Sequence, residues 1–105
     1  MAKKASFLLT LFFLAIASAA TYRVNLTQSA VVNGKELKAG EYRLNIEESK
    51  VTIADGKNSI EVPVKVENGG TKFGTTVVRY TAEGGKSAIS EIRIGGTRTR
   101  LIFNP

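Results

Sequence analysis

The sequence predicts an all-β fold, a small antiparallel β-sandwich of about seven or eight strands, with a small barrel as the alternative. Three observations predict it. From Tyr22 onward, apolar and polar residues alternate in short runs, the period-two pattern of half-buried strands. Turn signals separate the runs at close spacing, among them Asn33-Gly34, Asp55-Gly56, Gly84-Gly85 and Gly95-Gly96. No stretch of this region repeats its apolar residues at helical spacing. Pro63 separates sandwich from barrel: proline has no amide proton to donate, so an open sheet edge is expected where it sits.

The 105 residues allow one domain, and residues 1–20 read as a signal-peptide helix ahead of it. Lys3 and Lys4 form a basic start, residues 7–16 an apolar run, and Ala17-Ser18-Ala19 a small-residue cleavage site, with the cut after Ala19 or Ala20. The apolar run is shorter than the roughly 20 residues that cross a bilayer. A single all-β domain over residues 21–105 is therefore expected to be exported, periplasmic or secreted, with no membrane span after cleavage. Without Lys3 and Lys4, the 15 basic residues become 13 against 9 acidic ones, a formal +4. No cysteine is present, so a small exported domain of this kind must rely on burial rather than on disulfides.

The runs follow one another with little between them. Tyr22, Val24 and Leu26 share one face of the first. Residues 30–32 and 35–37 flank Asn33-Gly34, the strongest short hairpin signal. Tyr42, Leu44 and Ile46 point inward from the next run, a charged turn at residues 47–50 follows, and residues 51–53 form a short strand. After Asp55-Gly56-Lys57-Asn58 comes the most regular alternation, residues 60–66, expected to be an edge strand whose free side is guarded by Pro63 and charge. Residues 73–81 read as a Thr/Val-rich strand. A two-residue turn at Gly84-Gly85 would set Tyr80 beside Ile89 and turn Arg79 inward. A three-residue loop from Glu83 pairs Tyr80 with Ala88 and keeps Arg79 outside, so the three-residue loop is expected. A two-residue Gly95-Gly96 turn pairs Arg93 with Arg98 and Glu91 with Arg100, and puts Ile92, Ile94, Leu101 and Phe103 on the core face.

Leu37-Lys38-Ala39-Gly40-Glu41-Tyr42 resembles the Leu-x-x-Gly-x-Tyr element of prealbumin-like and Cna-B-like β-sandwich modules. The resemblance covers six residues. It implies a turn into a strand whose tyrosine packs at a sheet corner, and a scaffold or binding role of the kind such modules have in bacterial envelopes. Some members carry a Lys–Asn isopeptide cross-link. Lys35, Lys38 and Asn45 do not identify that triad here. The chain as a whole resembles small exported all-β proteins of bacteria, which implies a setting without an activity.

The chemical inventory points away from an enzyme. Histidine and cysteine are absent, which removes imidazole bases, thiolate nucleophiles and most zinc sites. Glu47 and Glu48 are adjacent carboxylates, but they read as solvated turn charge. Asp55-Gly56-Lys57-Asn58 has too few oxygens for a calcium loop, and the glycine pairs precede no helix that would form a phosphate loop. No cofactor or metal is expected.

What remains is charge. Arg93, Arg98 and Arg100 gather on the outer face of the last hairpin around Glu91, and Arg79 joins them in the expected register. Two readings stand. In one, these four arginines form a candidate anion-binding face for an anionic polymer or an acidic protein surface, since guanidinium forks match phosphate and carboxylate. In the other, this is an ordinary solvated face in which Glu91 neutralises Arg100. Nucleic acid is not expected as partner, because no aromatic residues are interleaved with the arginines. The function expected is a non-catalytic exported binding module for an anionic envelope or extracellular partner. The alternative is a structural or self-associating envelope protein that uses exposed strand edges.

Overall fold

The computed structural model describes residues 20–103, and all of them lie in strands, turns and loops, with no helix. The expected signal-peptide helix lies outside the described residues. Nine strands follow in order: β1 (Ala20–Leu26), β2 (Ala30–Val32), β3 (Lys35–Leu37), β4 (Gly40–Ile46), β5 (Lys50–Ala54), β6 (Ser59–Asn68), β7 (Val77–Glu83), β8 (Lys86–Arg93) and β9 (Thr99–Phe103). They form an open sheet in two limbs that share β6. The first limb runs β1-β4-β5-β6, and the second runs from β6 through β9 to β8. On β8, β7 pairs along one edge, while β2 joins through Val31↔Ala88 and carries β3. This is the sandwich-like architecture expected. The sheet does not close, which sets aside the barrel alternative.

Alternation places the core where the sequence predicts it. Tyr42, Leu44 and Ile46 from β4, Val51 and Ile53 from β5, and Val62 and Val64 from β6 are buried. They meet Ile92 and Ile94 with Leu101 and Phe103 in one cluster that draws on both limbs. Tyr22, Val78 and Tyr80 pack against its margin. The Tyr42 hydroxyl donates to the Lys38 carbonyl at 2.7 Å, which ties β4 to the turn that leads into it.

Four local expectations are corrected. First, β6 is not an edge strand. Lys50↔Pro63 is the last pair with β5 and Val64↔Phe103 the first with β9. The Val64 N–H donates to Ser49 on the β5 side, so by alternation the Pro63 nitrogen faces the other side, one residue beyond the described β9 pairing. The proline sits at the hand-over between partners, where a missing donor interrupts neither described ladder.

Second, the turn between β7 and β8 has two residues, not three. Gly84 (φ 59°) and Gly85 (φ 81°) both take the left-handed conformation that such a turn needs, and Tyr80 pairs with Ile89. The inward Arg79 that this register implied is avoided by a bulge. Ser90 is the extra residue, and beyond it Arg79 pairs with Glu91 and Val78 with Ile92. The Ser90 hydroxyl donates to the Arg79 carbonyl at 3.2 Å. Arg79 stays outside, as expected, by a different route.

Third, Gly95-Gly96 is not a two-residue hairpin turn. Only Gly96 has a positive φ (80°), whereas the primed turns need it at the first glycine or at both. A four-residue loop spans Ile94 and Thr99, and the strands pair as Glu91↔Ile102, Ile92↔Leu101 and Arg93↔Arg100. The shift from the expected register is two residues, so every side chain keeps its face. Ile92, Ile94, Leu101 and Phe103 are at most 5% exposed.

Fourth, residues 73–76 are not part of β7. They brace this loop: Gly96 N–H donates to Phe73 O (2.8 Å), Phe73 N–H to Thr97 O (2.8 Å) and Gly95 N–H to Thr76 Oγ1 (2.9 Å). A Cβ on Gly95 would lie 2.6 Å from the backbone of Thr75 and Thr76.

That contact predicts a contrast between two glycines. Gly95→Ala forces backbone apart and should cost about 1–3 kcal/mol of stability in urea unfolding. Gly74→Ala has open space and should stay within about 0.5 kcal/mol of wild type. Tyr42→Phe, which removes only the bond to Lys38, should cost about 1 kcal/mol in the same measurement.

Candidate functional site

The second limb presents its outer face across β6, β9, β8 and β7. Register places Lys65, Ile102, Glu91 and Arg79 in one row across the strands, and Glu67, Arg100, Arg93 and Val77 in the next. Three of the four cations, Lys65, Arg93 and Arg100, share the two carboxylates. Arg93 Nε lies 2.8 Å from Glu91 Oε2, and Arg100 Nη1 lies 3.6 Å from the same oxygen. Arg100 also grips Glu67 Oε1 through Nη2 at 2.7 Å and Nε at 2.9 Å, and Lys65 Nζ reaches Glu67 Oε2 at 3.3 Å. The result is a ladder of alternating charge, Lys65, Glu67, Arg100, Glu91, Arg93. Glu91 bridges the directly paired Arg93 and Arg100, and Glu67 holds Arg100 from its other side.

The carboxyl groups record that arrangement. The hydrogen bond from Arg93 holds Glu91 below the usual carboxylate range, with the charges of Arg93, Arg100 and Arg79 adding to it. Hydrogen bonds from Arg100 and then Lys65 do the same for Glu67. The Arg100 guanidinium is held the more firmly protonated by Glu67 and Glu91. Arg93 also stands over the Phe73 ring at 5.7 Å from its centroid, a cation–π distance.

The four sequence-predicted arginines thus do not act as one face. Arg93 and Arg100 belong to the ladder. Arg79 is exposed on β7, opposite Glu91, and forms no ion pair among the described residues. Arg98 sits in the loop before β9 rather than on a strand, exposed and also without an ion pair among the described residues. It lines an open crevice of about 690 Å³, whose other charged residues are Lys72, Arg100 and Glu67, with residues 68–74 forming the opposite wall. The Gly69 N–H donates to the Arg98 carbonyl at 3.2 Å and joins the two walls at one end, as the Phe73 bonds to Thr97 and Gly96 do at the other. Sequence reasoning missed Lys72. Its position depends on residues 73–76 leaving β7 to brace the 95–98 loop, a long-range contact with no local signature except Gly95.

Chemically, the crevice offers an ammonium and a guanidinium that form no ion pair among the described residues, beside a third cation whose fork is already oriented by Glu67 and Glu91. Such a set suits phosphate, sulfate or carboxylate groups. The Glu47 side of the molecule reads as expected: Glu47 lies in a turn and pairs with Lys50 at 3.6 Å. Asp55 caps its own turn, its Oδ1 accepting the N–H groups of Asn58 (2.9 Å) and Lys57 (3.1 Å), which lowers its pKa. Among the described residues no three metal-ligating side chains cluster.

No family model, no curated protein and no solved structure matches the chain.

The depressed carboxyls carry a pH dependence. Glu67 and Glu91 bind protons less readily in the folded chain than in the unfolded one, so acidification favours unfolding. Their contribution is complete above the ordinary carboxylate range and is lost as pH falls through the folded values. Urea midpoints should fall as the pH drops below the ordinary carboxylate range, with a shallower slope in Glu91→Gln. Parallel slopes for variant and wild type would contradict the ladder.

Proposed function

We infer that this protein is a non-catalytic exported β-sandwich domain, periplasmic or secreted, that binds an anionic polymer through the crevice between residues 68–74 and the 95–98 loop. One observation carries the reading: Lys72 and Arg98 line an open crevice of about 690 Å³ beside Arg100 and have no ion pair among the described residues. An ordinary solvated face accounts for Arg93 and Arg100, each matched to a carboxylate. It does not account for two unmatched cations facing one crevice, where neighbouring positive charge raises the local potential. The basic start, apolar run and Ala17-Ser18-Ala19 of the first twenty residues support export. The likeness of residues 37–42 to prealbumin-like and Cna-B-like modules supports a scaffold that presents a surface. Phe73, the one aromatic residue in the crevice wall, is engaged by Arg93, which favours recognition of charge over stacking on nucleobases.

The test is retention on immobilised polyphosphate and dextran sulfate. Binding should fall steeply from about 0.1 M to about 1 M salt, across which the screening length shrinks from about 10 Å to about 3 Å. Lys72→Glu with Arg98→Glu should weaken it more than about tenfold while the unfolding midpoint is kept. Arg100 is a poor choice for reversal, because a carboxylate there would face Glu67 and Glu91. Retention that survives high salt or the double reversal would overturn the assignment. An acidic protein as the true partner would show as capture by a carboxylate-rich protein with no retention on either polymer.

A further inference from the structure

Three strands have only one partner in the described sheet: β1, β3 and β7. β3 is three residues long and carries Lys35 and Glu36, both exposed, a short and charged edge of the kind that discourages added strands. β1 holds Arg23 and no carboxylate. β7 differs from both. It runs seven residues, Val-Val-Arg-Tyr-Thr-Ala-Glu, without proline or lysine, and it carries one cation and one anion. Val77, 40% exposed, is the exposed large hydrophobic side chain among the described residues.

The backbone of β7 fixes which groups are free. Glu83↔Lys86 flanks the two-residue turn, so these residues exchange both ladder bonds. Alternation then turns the amides of Glu83, Thr81 and Arg79 toward β8, consistent with the Ser90 hydroxyl reaching the Arg79 carbonyl. The N–H and C=O groups of Val78, Tyr80 and Ala82 point away from β8, along the edge that no other described strand pairs. Near its Val78–Tyr80 end β1 stands across a cavity of about 250 Å³ lined by Arg23, Val24, Asn25 and Thr27. We propose that this edge pairs antiparallel with β7 of a second copy about a two-fold axis at Thr81. In that register Tyr80 and Ala82 exchange backbone hydrogen bonds across the axis, and Arg79 of each copy faces Glu83 of the other.

Charge selects the register and the occupant. Only registers that match free groups to free groups are allowed, so the axis moves along β7 one residue at a time. An axis at Arg79 sets two arginines opposite each other, which is unfavourable. An axis at Tyr80 leaves Arg79 opposite Thr81, and an axis at Ala82 carries it past the end of the partner strand at Glu83. The axis at Thr81 gives two reciprocal Arg–Glu pairs from residues that have no ion pair among the described residues. It also carries Val77 past Glu83, the last residue of the partner strand, which leaves the valine room. Reciprocity of this kind is what an isologous dimer requires. The proposal does not depend on the anion-binding crevice, because Arg79 and Glu83 lie outside its lining.

Sedimentation equilibrium on the purified chain, without any polyanion, tests it. A single added strand makes a small, transient interface, so the protein should form reversible dimers as its concentration approaches about 1 mM. Arg79→Glu alone and Glu83→Arg alone each turn two attractive pairs into two repulsive ones and should weaken dimerisation about thirtyfold. The combined Arg79→Glu, Glu83→Arg chain should recover it. Ala82→Pro removes an outward amide that β8 does not use and should abolish dimers, with folding checked by the unfolding midpoint. A strict monomer, a dimer indifferent to single charge reversal, or a double variant that does not recover would each overturn the proposal.

Discussion

A guanidinium on the inner face of a sheet with no partner costs several kcal/mol, and avoidance of that cost organises the second limb. Glycines at residues 84 and 85 favour a two-residue turn, which by itself would aim Arg79 inward. The chain keeps the favourable turn and inserts Ser90 as a bulge, so that Val78 faces Ile92 and Arg79 faces out. The final hairpin obeys the same constraint in another way. Its register moves by two residues, which preserves the face of every side chain and leaves Ile92, Ile94, Leu101 and Phe103 in the core. In both hairpins the faces are kept: in the first by a bulge that interrupts the ladder beside an unchanged turn, in the second by a register that moves an even number of residues.

The brace across the last turn links that core to the surface chemistry. Because residues 73–76 hydrogen-bond to the 95–98 loop, the segment before them is drawn alongside Arg98. Lys72 and the glycines around it become one wall of a crevice, and Phe73 comes under Arg93. Gly95 is the residue that permits it, since any Cβ there would meet the Thr75 and Thr76 backbone. The crevice is thus a consequence of how the hairpin is closed.

Much of this was legible in the sequence because alternation is local. Fold class and the inward sets on β4, β6, β8 and β9 follow from residues two apart, and the Asn33-Gly34 hairpin from its turn dipeptide. The open sheet was expected from Pro63 as an edge, a reason the pairing of β6 on both sides removes. What was not legible depends on partners far away in the chain. The hand-over of β6 at Pro63 needs both Ser49 and Phe103, and the proline alone reads as an edge. The bulge at Ser90 is a compromise between two local rules, each sensible by itself. The candidate site divided for the same reason. Arg93 and Arg100 were placed correctly on the outer face, but Glu67, which neutralises Arg100 from β6, and Lys72, which joins Arg98, come from segments that only the tertiary fold brings near.

The two proposed surfaces occupy opposite ends of β8. The braced loop and its crevice follow Arg93, at the end of the strand, while the Thr81 axis lies by the Gly84-Gly85 turn at its start. A dimer joined at that start leaves both crevices open, one at each far end, so that pairing and anion binding do not compete for backbone or side chains. The arginines are divided to match. Arg93 and Arg100 are held by Glu91 and Glu67, Arg98 lines the crevice, and Arg79 stands on the outer face of the edge strand β7. Glu91 is the pivot of that division. It holds two guanidinium groups, while Arg79, directly opposite, acts on it only through its charge and forms no ion pair among the described residues.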